Sequence, residues 1–260
     1  MKIHICDKKK KDIFVHLFQT LKNCSSSISM KINSGLIHIQ GMDKSHVCLF
    51  DAKINSNWFS LFEIKKEINL SFDSNVFYSI ISTKSDLQDL IITMDEGDED
   101  TVHIHFIPQE KEPKKGDFKK FFKMPLIEYD YDEMEIPSVD YDAEFSLSSK
   151  QITEMFSQLG NFGNDIIIKC TEQDISLTTN GVSGEMRVDI PIDDLGDYSI
   201  IEDEEIKLTY SLSYINKMCI TNKVSNDADF LLSNNCPTKI SYDLGDNSVL
   251  HFFIAPKINE

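Results

Sequence analysis

Several things are missing from this sequence, and each absence removes a class of protein. No apolar run approaches the roughly 18 residues that a membrane span needs. The start, Met1-Lys2-Ile3-His4-Ile5-Cys6-Asp7, lacks the apolar stretch of a secretory signal. A soluble, intracellular protein is the expectation. The six cysteines (Cys6, Cys24, Cys48, Cys170, Cys219, Cys236) lie far apart, without a Cys-x-x-Cys pair and without histidines at zinc-finger spacing. Most sit beside apolar residues, as small buried thiols do, so neither a disulfide framework nor structural zinc is expected. No Gly-x-x-x-x-Gly-Lys-Ser/Thr loop exists, so the chain itself should not hydrolyse ATP. Positive charge is scarce: Lys and Arg number 26 against 43 Asp and Glu, for a formal charge of −17. Summed over the chain, that balance opposes nucleic acid, because phosphate binding needs concentrated Lys and Arg.

Metal chemistry also lacks support. His103 and His105 alternate on a predicted strand with no third ligand at useful spacing, so a strand face turned to solvent is the better reading. Asp95-Glu96-Gly97-Asp98-Glu99-Asp100 lacks the alternating ligands and closing Glu of a calcium loop, and reads as an acidic hairpin between strands Leu90–Met94 and Val102–Phe106. Asp130-x-Asp132 lies in a carboxylate run where such pairs arise by crowding. No metal and no cofactor are expected. The rival reading from another class is a metal-dependent nucleotide-processing enzyme using Asp130, Asp132 and His103.

What the sequence does contain is a repeat. Glu67-Ile68-Asn69-Leu70-Ser71-Phe72 aligns with Glu205-Ile206-Lys207-Leu208-Thr209-Tyr210 at an offset of 138. The same offset joins Leu17-Phe18-x-x-Leu21 to Met155-Phe156-x-x-Leu159, Ile28 to Ile166, and Ile39 to Leu177. One offset shared by separated places indicates a duplicated domain. Each half opens on an amphipathic helix, with Ile13, Phe14, Leu17, Phe18 and Leu21 as the apolar stripe of the first, and Ile152, Met155, Phe156 and Leu159 as that of the second. Alternating strands follow, Ile28–Ile32 and Leu36–Ile39, then Ile166–Ile168 and Ile175–Leu177. Second helices are predicted near 74–83 and 211–222, with Ser74 and Ser211 as N-caps. Further strands at Phe230–Leu232 and Leu250–Ile254 close the second half.

The predicted class is α+β, two duplicated domains of antiparallel sheet with two helices each, covering 1–127 and 145–260. Residues 128–144 between them hold eight carboxylates and no Lys or Arg, and read as an exposed acidic interdomain connector. Met134, Ile136 and Pro137 are embedded in it, and a solvated loop has no structural need for them.

The charge is segregated. Residues 8–23 contain Lys8, Lys9, Lys10, Lys11 and Lys22 against Asp12; 74–84 contain Lys84 alone; 148–162 balance Lys150 against Glu154; and 211–223 contain Lys217 and Lys223 with no acid. Opposite the apolar stripe of the first helix lie polar, non-acidic residues such as His16 and Gln19. An ordinary solvated face is the plain reading. The alternative is a local surface facing phosphates, with attraction independent of base sequence. No aromatic–basic interleaving or groove-reading motif accompanies it.

Against this background, Met42-Asp43-Lys44-Ser45-His46-Val47 resembles a segment of the proliferating cell nuclear antigen family of DNA sliding clamps. Phe252-Phe253-Ile254-Ala255-Pro256-Lys257-Ile258 is similar to that family's C-terminal signature, and Glu135-Ile136-Pro137 to its interdomain loop. Leu208-Thr209-Tyr210-Ser211-Leu212 and Tyr214-Ile215-Asn216 resemble the start of its last helix. The resemblance covers nearly the whole chain in order. It implies a non-enzymatic homotrimer, a pseudo-sixfold ring lined by helices, through which duplex DNA passes and onto which DNA polymerase and other clients are tethered. A clamp-loader ATPase would open the ring, and the rival within the class is one subunit of a checkpoint-type heterotrimer.

Clients would insert a peptide with one aliphatic and two aromatic anchors into a pocket at Met42, His46, Val47, Met134, Ile136, Pro237, Phe253, Ala255 and Pro256. DNA would face Lys8, Lys9, Lys10, Lys11, His16, Lys22, Lys84, Lys150, Lys217 and Lys223. Segments 118–126 and 184–192 match the family's subunit-interface strands, with Phe122, Met124, Met186 and Val188 as contacts. Three departures stand out. Phe122 replaces the usual interface Tyr, Glu154 and Ser157 stand where relatives carry basic residues, and Ser176 occupies the place of the ubiquitin-acceptor lysine. The implied compartment is the nucleus, or a cytoplasmic replication site should the Asn-, Ile- and Lys-rich composition reflect a large DNA virus.

Overall fold

The computed structural model describes residues 1–110, 116–129, 133–218 and 220–257. They form two compact units, each made of three stretches of the chain. The first comprises Met1–Met42, Phe50–Glu133 and Leu244–Leu250, and the second Asp43–Leu49, Met134–Asp243 and His251–Glu260.

In the first unit the elements run β1 (Lys2–Ile5), α1 (Lys8–Cys24), β2 (Ser27–Ile32), β3 (Leu36–Met42), β4 (Cys48–Asn55), β5 (Leu61–Glu63), β6 (Ile68–Asp73), α2 (Ser74–Ile81), β7 (Gln88–Thr93), β8 (Thr101–Pro108) and β9 (Lys120–Pro125). Two strand arrays result, ordered β5-β1-β7-β8-β9 and β6-β2-β3-β4. Pairing of β1 with β5 and β7, and of β2 with β3 and β6, is antiparallel. The second unit contains β10 (Ala143–Ser148), α3 (Ser149–Leu159), β11 (Asp165–Cys170), β12 (Asp174–Gly181), β13 (Gly184–Pro191), β14 (Tyr198–Ile200), β15 (Ile206–Ser211), α4 (Leu212–Met218), β16 (Asp227–Leu232), and most of β17 (Thr238–Gly245) and part of β18 (Ser248–Ile254), whose residues within Leu244–Leu250 belong to the first unit. Its arrays are β13-β12-β11-β15 and β14-β10-β16-β17-β18.

The offset of 138 read in the sequence is a structural repeat. It carries α1 onto α3, β2 onto β11, β3 onto β12 and β6 onto β15. Paired positions are buried alike: Phe18 with Phe156, Ile28 with Ile166, Ile39 with Leu177, and Phe72 with Tyr210. Around Phe18 the core is aromatic, with ring centroids 5.0 Å from Phe14 and 4.6 Å from Phe77, and Phe72 lies 4.5 Å from Phe77. Such tilted and edge-on pairs add roughly 0.5–1.5 kcal/mol each beyond area burial. In the second unit the Phe145 and Phe230 rings stack at 4.9 Å beneath Phe156.

Local chemistry sets the helix ends, not always as the sequence suggests. Asp73, not Ser74, caps α2, its carboxylate accepting from the N–H groups of Asn75 at 2.8 Å and Val76 at 3.0 Å. Ser74 is buried in the first turn and donates to the carbonyl of Ser25 at 2.6 Å. Both second helices end earlier than predicted, at Ile81 and Met218. Beyond Ile81, Ser82 and Thr83 hydroxyls donate back to the carbonyls of Ser79 and Ile80, a local alternative that ends helices. The connector is shorter than expected as well. Strand β10 begins at Ala143, which pairs with Leu232 and Ile200, so Glu144 is a strand residue.

Candidate functional site

The first helix begins awkwardly. Four consecutive lysines, Lys8 to Lys11, occupy its first turn, where the helix dipole is positive and cations are disfavoured. Asp7 compensates, accepting from the Lys10 N–H at 2.8 Å, and so do specific partners for the side chains. Lys8 pairs with Asp86 at 2.6 Å, and Lys10 reaches Asp246 at 2.6 Å and the carbonyl of Trp58 at 2.8 Å. Lys84 is held between Asp12 and Asp86. Lys9 is exposed. Lys22 lies half-buried with its ammonium 4.0 Å from the Tyr78 ring centroid, and His16 bonds to Gln19 at 2.8 Å.

Lys11 is another matter, because the structure does not place it on a DNA-facing surface. It is fully buried, and its ammonium donates to the carbonyls of Asp86, at 3.0 Å, and Gln88. Burial holds its pKa below the ordinary lysine value. The local charge of residues 8–23 does not distinguish Lys11 from its neighbours, whereas Ile13, Phe14 and Leu17 imply that one face of this turn points inward. Lys11→Glu should lower stability by about 3–5 kcal/mol, because it places a buried carboxylate against two carbonyl oxygens. Lys9→Glu should stay within about 0.5 kcal/mol of the parent. Thermal melts of the two variants separate these outcomes.

In the second unit Lys150 is exposed and only 4.0 Å from Glu154, so its charge is partly answered locally. Lys217 and Lys223 are exposed. A shallow cavity of about 400 Å³ lies between the ends of α3 and α4, lined by Ser157, Asn161, Asn164, Asn216 and Lys217 among others, with no carboxylate. This neutral-to-basic notch contrasts with the acid of the rest of the chain.

The segment Asp43–Leu49 and the C-terminal strand come together in the second unit. Asp43 is buried and organises the turn, accepting from the N–H groups of Ser45 at 2.6 Å, Val47 at 2.9 Å and Cys48 at 2.7 Å, and from the Tyr214 hydroxyl. Burial alone would raise its pKa, but these donors outweigh burial and hold the carboxyl below its usual range. Tyr214 is pushed up to about 12, by burial and by the carboxylate it bonds. His46 takes a positive φ of 57°, which leaves its ring exposed at the turn. Val47 accepts from the Ala255 N–H at 3.0 Å, so these two predicted pocket residues are joined. Phe253 and Pro256 are half-buried, and Met134 and Pro237 are exposed. Ile136 is half-buried, and Met42 is the half-buried last residue of β3. Asp43 and Tyr214, which set the turn, lie within the segments that resemble the family, but a lone Asp in a polar turn carries no signal of burial.

Two strand edges complete the description. Strand β9 is outermost beyond β8, and β13 outermost beyond β12. Met124 is 2% exposed, so its side chain belongs to its own core rather than to a contact surface, and Phe122 on the same face is half-buried. The outward residue is Phe121, 63% exposed, which the sequence reading missed. Met186 and Val188 are half-buried on β13.

Among the described residues, no cluster of three or more His, Cys, Asp or Glu is arranged to hold a metal. His103 Nε2 lies 3.9 Å from Asp95 Oδ2, and its ring centroid is 6.2 Å from that of His105. Asp130, Asp132, Cys219 and Ile258 lie outside the described residues.

The comparisons with known proteins agree with this geometry. Residues 7–133 match the family model described as "Proliferating cell nuclear antigen, N-terminal domain", and 135–257 that of its C-terminal domain. "Proliferating cell nuclear antigen 2" of Plasmodium falciparum is 26% identical over 254 residues, covering 95% of this chain and 96% of that protein. The "DNA polymerase sliding clamp" of Thermococcus fumicolans is 24% identical over 247 residues, covering 95% of each. The crystal structure of the corresponding antigen from Entamoeba histolytica superposes with a TM-score of 0.86 at 22% identity, over 99% of this chain and 98% of that one. With both domains matched in order and the repeat, the turn at Asp43 and the C-terminal strand all in place, the chain belongs to the proliferating cell nuclear antigen family, the non-enzymatic DNA sliding clamps.

Proposed function

We propose that three copies of this chain close head to tail into a ring that encircles duplex DNA and tethers DNA polymerase and other clients to it. The observation that carries this reading is the pair of strand edges. Among the described residues β9 and β13 each close one end of a sheet with one partner, as other end strands do, and these two edges differ in charge. Strand β9 contributes Lys120 and Lys123, while β13 carries Glu185 and Asp189 around a single Arg187. Pairing β9 of one copy with β13 of the next removes both edges. A heterologous contact of this kind forms closed rings when the rotation closes. Light scattering of the purified chain tests it: a mass three times 29.8 kDa is expected. A lone monomer that trimerises only with other chains would instead favour the heterotrimer subunit.

Inside such a ring, exposed Lys9, Lys217 and Lys223 supply contacts to phosphates without reading bases. A loader ATPase is required by the closed topology, since the chain has no nucleotide loop of its own. Client peptides are assigned to the surface around Val47, Ala255 and Phe253, with Met134 and Ile136 supplying apolar contact from the connector. Ile136→Ser should weaken an aromatic-anchored peptide by about 1–3 kcal/mol, a typical hot-spot loss, and leave the trimer intact. Calorimetry with unchanged affinity would remove Ile136 from the pocket.

A further inference from the structure

One cluster in the first unit has no part in the function described so far. Lys31 on β2 and His38 on β3 are directly paired across the strands. Glu133, the residue just before Met134, is drawn onto both: its Oε2 lies 2.6 Å from Lys31 Nζ and its Oε1 2.8 Å from His38 Nδ1. The other ring nitrogen, His38 Nε2, lies 2.6 Å from Oδ1 of the buried Asp51 on β4. Gln40 donates to the same oxygen at 3.4 Å, and Lys53 stands 3.8 Å from the other. Among the described residues these are the charged and titratable groups placed against the ring.

A carboxylate accepts and cannot donate, so an imidazole bonded to two carboxylates donates from both nitrogens and is the cation. Neutral imidazole has one N–H to give. Asp51 is buried and has no water to replace it, whereas Glu133 is partly exposed and has. The remaining proton therefore stays on the Asp51 side, and Nδ1 turns a lone pair on Glu133. Lys31 still holds the far oxygen, so one of two ties is lost.

We infer that Lys31 and His38 are positioning residues for the partner-peptide pocket, fixing Glu133 and so the start of the Met134–Ile136 segment, and that deprotonation of His38 loosens this hold. The pocket half of this inference rests on the function proposed above. Two further facts agree with the geometry. Glu133 is held below the usual carboxylate range by Lys31 first, against burial, and then by His38. Asp51 is likewise held low despite its burial, through His38, Lys53 and Gln40. The sign follows from the geometry: the hold is complete while both ring nitrogens carry a proton, and it weakens once rising pH removes one of them.

The test has two arms on the full-length chain. In the first, a nitroxide at Val139→Cys, with Cys6→Ser, Cys219→Ser and Cys236→Ser to prevent stray labelling, reports connector motion without any peptide. Across a pH series in which circular dichroism shows the fold intact, the label should be slower at the acidic end than at the alkaline end. Glu133→Gln, a partly exposed and conservative change, should make it fast at both, and His38→Gln should remove the pH dependence. Spectra that do not change with pH in the parent overturn the latch. In the second arm, calorimetry uses a synthetic peptide with one aliphatic and two aromatic anchors and no titratable side chain. Its affinity should fall about three- to tenfold over the same interval, and Glu133→Gln should flatten the profile. Exposed His46 is the competing source of pH dependence. A profile that survives Glu133→Gln but vanishes in His46→Gln overturns the positioning role. Failure of the peptide to bind at any pH would strike the pocket reading and leave the first arm to decide the latch.

Discussion

Val188→Asp should turn the proposed trimer into monomers while leaving the circular dichroism spectrum unchanged. Val188 sits at the centre of β13, whose outer edge has no partner among the described residues, and its side chain is half-buried. In the isolated chain the new carboxylate reaches water from an edge strand at little cost. Joined to β9 of the next copy, it would replace an apolar contact with Phe122 or Phe121 by a desolvated carboxylate, while the lysines of β9 already face Glu185 and Asp189, and a buried charge left short of partners costs several kcal/mol. Assembly avoids this by not occurring. Three such contacts close a ring, so the cost is incurred three times. Light scattering that still reports a trimer would show that β13 is not the contact strand. The reciprocal change, Phe121→Asp, is the sharper check on β9, because Phe121 is exposed and Met124 is not.

That choice of residue shows where the sequence was readable and where it was not. In Lys120-Phe121-Phe122-Lys123-Met124, period-two alternation places Phe122 and Met124 on one face and Phe121 on the other. Composition says only that the strand is apolar; which face is covered depends on what the chain packs beneath it. The duplication was legible because it is a statement about the chain itself: an offset of 138 survives as equal burial at Phe18 and Phe156 or Phe72 and Tyr210. Strands β2, β3, β11 and β12 declared themselves by alternation, whereas β4 is buried at nearly every position, from Cys48 to Ala52, and has no alternation to read. Polar networks were the least visible. Asp43 and Tyr214 are 171 residues apart, and Glu133 lies far along the chain from Lys31 and His38. Such partners are found only once the chain is folded. Lys11 makes the same point for charge, since four successive lysines look equivalent in a sequence and occupy four different directions around a helix.

Those directions decide how the encirclement of DNA should be tested. Replacing Lys9, Lys217 and Lys223 with Glu inverts charge at three exposed positions per chain, and avoids the buried Lys11 and the ion-paired Lys8, Lys10 and Lys84. Free duplex should bind the parent weakly, because a chain of charge −17 repels phosphate at long range. The informative assay is loading onto a circular template by a clamp loader, followed by retention on closed and on linearised DNA. Once loaded, the parent should remain on circles at elevated salt and escape from linear molecules through their ends. Topology does not depend on counterion release, while phosphate contact does. The triple variant should still form trimers and bind the aromatic-anchored peptide, because none of its three positions lies on β9, β13 or the turn at Asp43. Loading and processive synthesis should nevertheless fall at least about tenfold, since each lost lysine removes one counterion-releasing contact during the approach to DNA. Loading equal to the parent's would make these lysines ordinary solvated residues. Escape of the parent from closed circles as fast as from linear DNA would mean that the chain does not encircle DNA at all.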